Sequence, residues 1–234
     1  MAILALDTCL GAVSVAILEM SGAIDDERLT EIYEERATGH AERLVPMMAD
    51  AMQRAGIAAS QISCIAVTTG PGTFTGVRVG IAAARALAVS LQCPVVGTTC
   101  LAVLMHQVRE MCDGSRGGRP VLIAVDARRG EAYVQLFGQT ATDVLLTART
   151  MTPAEAARVL GPRKPLVAGS AAVAMAEAFR AEGCDIEIIT DRVEPHAAAL
   201  ARLAATLPVL DPVRPLYLRP PDAKPQGDKS LPRA

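Results

Sequence analysis

Tryptophan is absent from this 234-residue chain, and three Tyr and three Phe bring the aromatics to only 3%. Proteins that hold nucleic acid by stacking its bases usually carry more rings. An excess of charge is missing too: 23 Lys and Arg against 25 Asp and Glu give a net charge of −2 and a pI of about 6.0. No global basic field draws RNA or anionic lipid to it. Strong, direct RNA binding by this chain alone is therefore not expected.

Metal and nucleophile signatures are also lacking. The six cysteines (Cys9, Cys64, Cys93, Cys100, Cys112 and Cys184) contain no C-x-x-C pair and no Cys/His group at zinc spacing. They read as reduced cytosolic thiols packed as small hydrophobes. His40, His106 and His196 share no helix at metal-binding spacing, H-E-x-x-H is absent, and no serine sits in a G-x-S-x-G turn. His106 and Glu110, four apart, can make one contact. Met1 to Asp7 has no basic n-region and does not read as a signal peptide. A membrane span needs about 18 consecutive apolar residues. The long uncharged run from Ala86 to Val108 is interrupted by Gln92, Pro94, Gly97, Thr98 and Thr99.

What is present is aliphatic. Hydrophobic residues make up 51% and mean hydropathy is +0.30, ample for one large or two small cores. Strands are expected at 3–6, 12–18 and 29–36, a meander joined by short turns. Leu44, Met48, Ala51, Met52 and Ala55 recur at helical spacing, with Pro46 in the first turn and Gly56 as the stop. Strand 65–69, helix 74–91, strand 95–97 and helix 101–111 follow. Gly, Ser and charge cluster at 113–120, the expected boundary. Beyond it come strands 121–125, 132–137 and 144–149, helix 153–160, strand 166–169, helix 171–181, strand 186–190 and helix 195–207. The expected organisation is therefore residues 1–112, residues 113–207, and a Pro-rich tail, 208–234, running extended or disordered. Each block opens on a strand ending in aspartate, Asp7 or Asp126. The plan is a duplicated α/β fold with a mixed sheet in each half.

The most informative stretch is Gly70-Pro71-Gly72-Thr73-Phe74-Thr75-Gly76-Val77-Arg78-Val79-Gly80. It joins a strand to a helix N-terminus, and such a turn can bare amides to an anion. It has neither the P-loop lysine nor the dinucleotide-binding glycine spacing. The helix that follows is apolar nearly all round, with Arg78 and Arg85 as its charges, so more than one of its sides should be covered. Gly76 and Gly80, with Ala83 and Ala84, would let another helix come close. Met47, Met48 and Met52 on the preceding helix suit an adaptable surface. Two readings stay open: a helix sandwiched within its own domain, or an interface with a second subunit. The expected interface set is Leu44, Met47, Met48, Met52, Phe74, Thr75, Gly76, Val77, Gly80, Ala83, Ala84 and Leu87.

In actin-like, Hsp70-like and sugar-kinase-like (ASKHA) folds, two Asp-bearing hairpins hold Mg·ATP across a cleft. Asp7, Thr8 and Asp126 occupy the matching places and could form a weak, relic nucleotide site. Cys9 and Ala127-Arg128 stand where a glycine would let phosphate approach. An ATP-dependent sugar-kinase-like enzyme using Asp7 and Asp126 is the alternative reading. A peptidase, as some relatives of the fold have been grouped, lacks metal ligands here.

The residue 70–80 motif resembles the signature of the bacterial TsaB family. Ile3-Leu4-Ala5-Leu6-Asp7-Thr8, residues 39–46 (Gly-His-Ala-Glu-Arg-Leu-Val-Pro), residues 126–133 (Asp-Ala-Arg-Arg-Gly-Glu-Ala-Tyr) and Pro215-Leu216-Tyr217-Leu218-Arg219 resemble further family segments. The resemblance implies an ASKHA fold and a non-catalytic subunit. Its partner would be TsaD, which transfers a threonylcarbamoyl group to an adenosine beside the tRNA anticodon, and the ATPase TsaE completes the set. It further implies a heterodimer with TsaD, a homodimer when alone, pairing through residues 41–56 and 74–91, and only indirect contact with tRNA. No cofactor is implied for the chain itself, although ATP or ADP could sit at the subunit junction. TsaD carries a metal-binding His pair; near that region this chain has His106, with Ala102 four residues earlier. Cytoplasmic location and no membrane association are expected.

Overall fold

A computed structural model describes residues 1–20, 27–111, 118–210 and 212–219. The elements run β1 (Ala2–Asp7), β2 (Ala12–Met20), β3 (Glu27–Glu35), α1 (His40–Ala55), β4 (Ile62–Thr68), α2 (Phe74–Leu91), β5 (Val95–Thr98) and α3 (Cys100–Met111). Then come β6 (Val121–Asp126), β7 (Ala132–Phe137), β8 (Val144–Met151), α4 (Pro153–Leu160), β9 (Leu166–Ala168), α5 (Ala172–Ala181), β10 (Ile188–Thr190) and α6 (Ala197–Ala204).

Two five-stranded sheets repeat one topology: β3-β2-β1-β4-β5 and, read from the matching edge, β8-β7-β6-β9-β10. In each, the first strand pairs antiparallel with the second and parallel with the fourth. All six residues of β1 are buried, as expected of a strand covered on both faces. Alternation divides β6 between two clusters. Val121, Ile123 and Val125 join the core that contains the first sheet, whereas Leu122 and Ala124 join a second core with Met175 and Phe179 of α5.

The layers follow from these contacts. α1 and α2 cover one face of the first sheet. α3, with Leu101, Val103, Leu104 and Met105 fully buried, touches β6, β7 and α6. α4 and α5 pack together, and α5 covers the far face of the second sheet. α6 packs on β1, β2, β3 and β4. The sequence pattern groups α6 with the second block, but its burying face, Ala197, Leu200, Ala201 and Ala204, lies on the first sheet.

Local chemistry explains the helix ends. Thr73 caps α2 by accepting a hydrogen bond from the Gly76 N–H, and Thr152 with Glu155 forms a capping box on α4. Gly56 ends α1 in the left-handed conformation, φ 73°. Pro46 departs from expectation. α1 begins at His40, so Pro46 lies inside the helix rather than in its first turn, on the exposed side.

The expected boundary at 113–120 lies largely outside the described residues, as does the tail beyond residue 219. The rest of the tail is docked. Val209 bridges Val96 antiparallel, Leu210 N–H donates to the Val95 carbonyl and Leu216 N–H to the Thr69 carbonyl. Val213 is buried.

Candidate functional site

β1 and β4 are hydrogen-bonded neighbours with Leu6 opposite Val67. The turn after β1 and the glycine loop after β4 therefore meet. A Cβ added at Gly72 would lie 2.1 Å from the Cys9 carbonyl oxygen, one at Gly76 2.1 Å from the Thr8 oxygen, and one at Gly80 2.6 Å from Thr8 Oγ1. No side chain fits at such distances. The glycines are there so that the loop and α2 can lie directly on the Asp7–Cys9 turn. Thr73 N–H donates to the Cys9 carbonyl at 2.9 Å and Val77 N–H to the Thr73 carbonyl at 3.0 Å. Thr8 Oγ1 donates to the Gly76 carbonyl at 2.6 Å. The amides of Thr73, Gly76 and Val77, which the sequence pattern offers to an anion, are thus engaged within the chain. The far side of the loop is held by α3: Cys100 N–H donates to the Gly70 carbonyl and Cys100 Sγ to the Pro71 carbonyl at 2.9 Å. The Gly70–Pro71 peptide is cis.

Asp7 is fully buried. Thr68 Oγ1 donates to its Oδ1, and Cys9 Sγ donates to Thr68 Oγ1 at 3.1 Å. Asp7 Oδ2 has no hydrogen-bond partner. Burial, opposed by the Thr68 hydrogen bond, raises its pKa to about 7. The carboxyl is therefore close to half neutral near pH 7, ill suited to hold magnesium waters. Burial also pushes the Cys100 thiol well above its usual range, which leaves it a poor nucleophile.

The matching turn after β6 is built differently. Asp126 is exposed, and its Oδ1 accepts the Arg128 N–H at 2.8 Å, a turn cap. Arg128 and Arg129 both take the left-handed conformation, φ 63° and 56°. Arg219 of the tail lies over this turn. It donates to the Ala127 carbonyl at 2.8 Å and pairs with Glu131. A Mg·ATP site of the fold's usual kind does not fit these residues. One aspartate is enclosed under its own loop, and the other is spent on a turn that the tail covers.

A second polar cluster fixes α6. Glu31 of β3 accepts from Ser14 Oγ, from the Ala198 N–H and from His196 Nδ1, at 2.9, 3.0 and 3.1 Å. Burial would raise Glu31, but the bonds from His196 and Ala198 outweigh it, and its pKa is lowered. The Glu31 hydrogen bond raises His196 against the effect of burial. His196 stacks on Tyr33 at 4.4 Å. Glu194, raised by burial, accepts the Gly11 N–H at 3.1 Å. Nothing in the spacing of Glu31, Ser14 and His196 announces this cluster, because β3 and α6 are about 165 residues apart. His106 Nε2 lies 3.7 Å from Glu110 Oε1, the expected contact. Among the described residues no three His, Cys, Asp or Glu are placed to hold a metal ion.

The expected interface set divides in two. Leu44, Met47, Met48, Gly76, Val77, Gly80 and Ala84 are buried under the chain's own first sheet and neighbours. They are core, because the inner stripe of α2 rests on β4 and on Thr8. Met52, Ala83 and Leu87 are half-buried, and Phe74 and Thr75 are exposed. Residues not expected there carry the open side: Val45 on α1, and Ala82, Ala86 and Val89 along one stripe of α2. Val89 is 81% exposed. α2 is also the one described helix long and apolar enough to cross a membrane, yet its inner stripe is committed to the sheet.

A family model described as TsaD, tRNA N6-adenosine threonylcarbamoyltransferase, matches residues 32–207. The chain belongs to this family. Among named relatives it is TsaB-like. It is 35% identical over 133 residues to the tRNA threonylcarbamoyladenosine biosynthesis protein TsaB of Escherichia coli K12, covering 57% of this chain and 53% of that protein. The chain thus spans about half the length of the TsaB relative it matches. It is 33% identical over 230 residues to an uncharacterised protein of Mycobacterium tuberculosis, covering 95% and 94%. The solved structure of YeaZ from Pseudomonas aeruginosa is 30% identical, with a TM-score of 0.71 over 93% of this chain and 99% of that one. A polyphosphate/ATP-glucomannokinase from Arthrobacter, 13% identical, reaches a TM-score of 0.51 over 88% and 98%, a likeness of fold. The expected ASKHA fold is what the chain has.

Proposed function

We propose that the chain is a non-catalytic partner subunit in tRNA threonylcarbamoyladenosine biosynthesis. It docks on a TsaD homologue through the outer stripe of α2 and the adjoining side of α1, and on a second copy of itself when that partner is absent. The observation that carries this reading is the two-sidedness of α2: one stripe is fixed to the sheet, while the other presents Ala82, Ala86 and Val89 to solvent. Exposed Val89 and the small Ala82 and Ala86, flanked by Arg78 and Arg85 on the same stripe, make the kind of apolar centre with a charged rim that a partner covers. Small residues there suit close approach of another helix. Binding would favour the partner's active arrangement over its inactive ones. tRNA and a TsaE homologue meet the chain within that larger assembly, in the cytoplasm. Nucleotide, ATP or ADP, has a place only at the junction, where partner residues complete a site.

The test is reconstituted transfer with TsaD and TsaE homologues of the same organism, read as threonylcarbamoyladenosine in tRNA. Product should fall at least tenfold when this chain is omitted or replaced by Val89→Glu, whose thermal melt stays near the parent's. Full product without the chain contradicts the reading.

A further inference from the structure

The outer stripe of α2 carries charge as well as apolar surface. Arg78 and Arg85 are both exposed. Seven residues apart, they stand about two turns, or about 10 Å, from one another on one side of the helix. Ala82 lies between them and Val89 one turn beyond. Arg78 is held in place. Its guanidinium lies 3.6 Å from the centre of the Phe74 ring, and its Nε donates to the Tyr217 hydroxyl at 2.6 Å. Neither contact neutralises it. Arg85 meets no carboxylate among the described residues. Other arginines of the first block are paired, Arg43 with Glu34 and Arg54 with Asp50. The exposed side of α1 adds Val45 and one carboxylate outside these pairs, Glu42.

Self-pairing sets this charge against itself. In a two-fold dimer the same patch of each copy meets the other. Two α2 helices that cross antiparallel at Ala82 bring Arg78 of each level with the region of Arg85 of the other. Two that run parallel set each arginine against its own counterpart. Either way the two arginines of each copy gather at one seam, with a single Glu42 from each copy to offset them. We propose that this charge selects what occupies the stripe. It opposes a second copy of the chain and favours a partner helix that places two carboxylates about two turns apart around an apolar centre. The proposal rests on the preceding reading, in which the stripe is a docking face, and adds what a partner must offer there.

The experiment is titration calorimetry, by dilution of the full chain alone and by titration into its TsaD homologue, at about 50 and about 500 mM NaCl. Salt screens attraction and repulsion alike, so the two dissociation constants should move in opposite directions. As salt rises, self-association should tighten about threefold and the complex with the homologue should loosen about tenfold. Arg85 touches neither ring that holds Arg78, so its variants should melt like the parent. Arg85→Gln removes one of the two charges and should tighten self-association about threefold or more, whichever way the copies run. Arg85→Glu opposes the partner's carboxylates and should weaken the complex about tenfold or more. Two constants that shift the same way with salt overturn the proposal. So does either variant that leaves its constant unchanged, and in both cases a complex formed by the parent keeps the docking face standing. No complex of the parent at either salt removes the docking face itself, and the proposal with it.

Discussion

β1 and β6 hold the same place in their sheets, each between an antiparallel and a parallel neighbour, and each ends in aspartate. The residues that follow part ways. After β1, Gly72, Gly76 and Gly80 let a loop and a helix close over the turn, so Asp7 is enclosed and its pKa is raised. After β6 the matching crossover meets the strand one step short of the turn: Gly169 lies against the Ala124 carbonyl and Ser170 Oγ accepts the Asp126 N–H. Asp126 stays in solvent and serves its own turn, over which Arg219 passes. A repeated topology therefore does not repeat a site. What decides is where the next crossover's glycines land, on the turn itself after β1 but on Ala124 within the strand at β6.

The largest expected break of that contrast is Gly76→Val. Its side chain has nowhere to go beside the Thr8 carbonyl, and stability should fall by more than about 4 kcal/mol or folding should fail. At the other turn Gly130 has φ 76° and nothing within 4 Å of an added Cβ. Gly130→Ala should lose only about 1 kcal/mol, from backbone strain. Urea denaturation of both variants checks the difference.

The aspartates give the second contrast. The folded pKa of Asp7 lies above its unfolded value, so its contribution to stability is full below about 3.8 and is lost as pH rises towards about 7. Asp7→Asn should therefore gain on the parent between pH 4 and pH 8, by on the order of a few kcal/mol. Asp126→Asn keeps a capping oxygen and should stay within about 0.5 kcal/mol at both pH values. Denaturation at pH 4 and pH 8 measures this. A difference between Asp7→Asn and the parent that does not change from pH 4 to pH 8 would mean that the folded carboxyl keeps its ordinary pKa.

A smaller effect is expected where α6 returns to the first sheet. Glu31 raises His196, so their pairing stabilises fully below about pH 6.5 and fades as pH climbs through the folded value. His196→Gln should lower the melting temperature at pH 6 and hardly change it at pH 9. An equal loss at both would assign His196 to packing on Tyr33 alone.

Much of this was legible in the chain beforehand. Strands ending in Asp7 and Asp126, the span of α2 and the duplicated plan follow from periodicity, turn residues and caps, which are local. The division of α2 into two stripes was not. Only the exposed side was signalled, by Arg78 and Arg85 seven residues apart; with apolar residues round the rest, Gly76 and Gly80 look the same whether they admit a partner helix or Thr8. The clasp of Glu31 on His196 and the passage of Arg219 over the second turn join distant residues, and spacing carries no sign of them. Pro215 to Arg219 read as an extended or disordered tail because prolines end helices; the structure has the extended alternative, and only its docking partners went unsignalled.

The central claim is that the inner stripe of α2 builds the fold and the outer stripe meets a partner. Sedimentation of the chain with its TsaD homologue tests it most directly, using Ala86→Glu/Val89→Glu beside Val173→Glu on the outer side of α5. The account predicts that all three proteins melt alike, that the parent and Val173→Glu form the complex, and that the doubly charged α2 variant sediments apart from the homologue. A complex retained with both glutamates in place would contradict it.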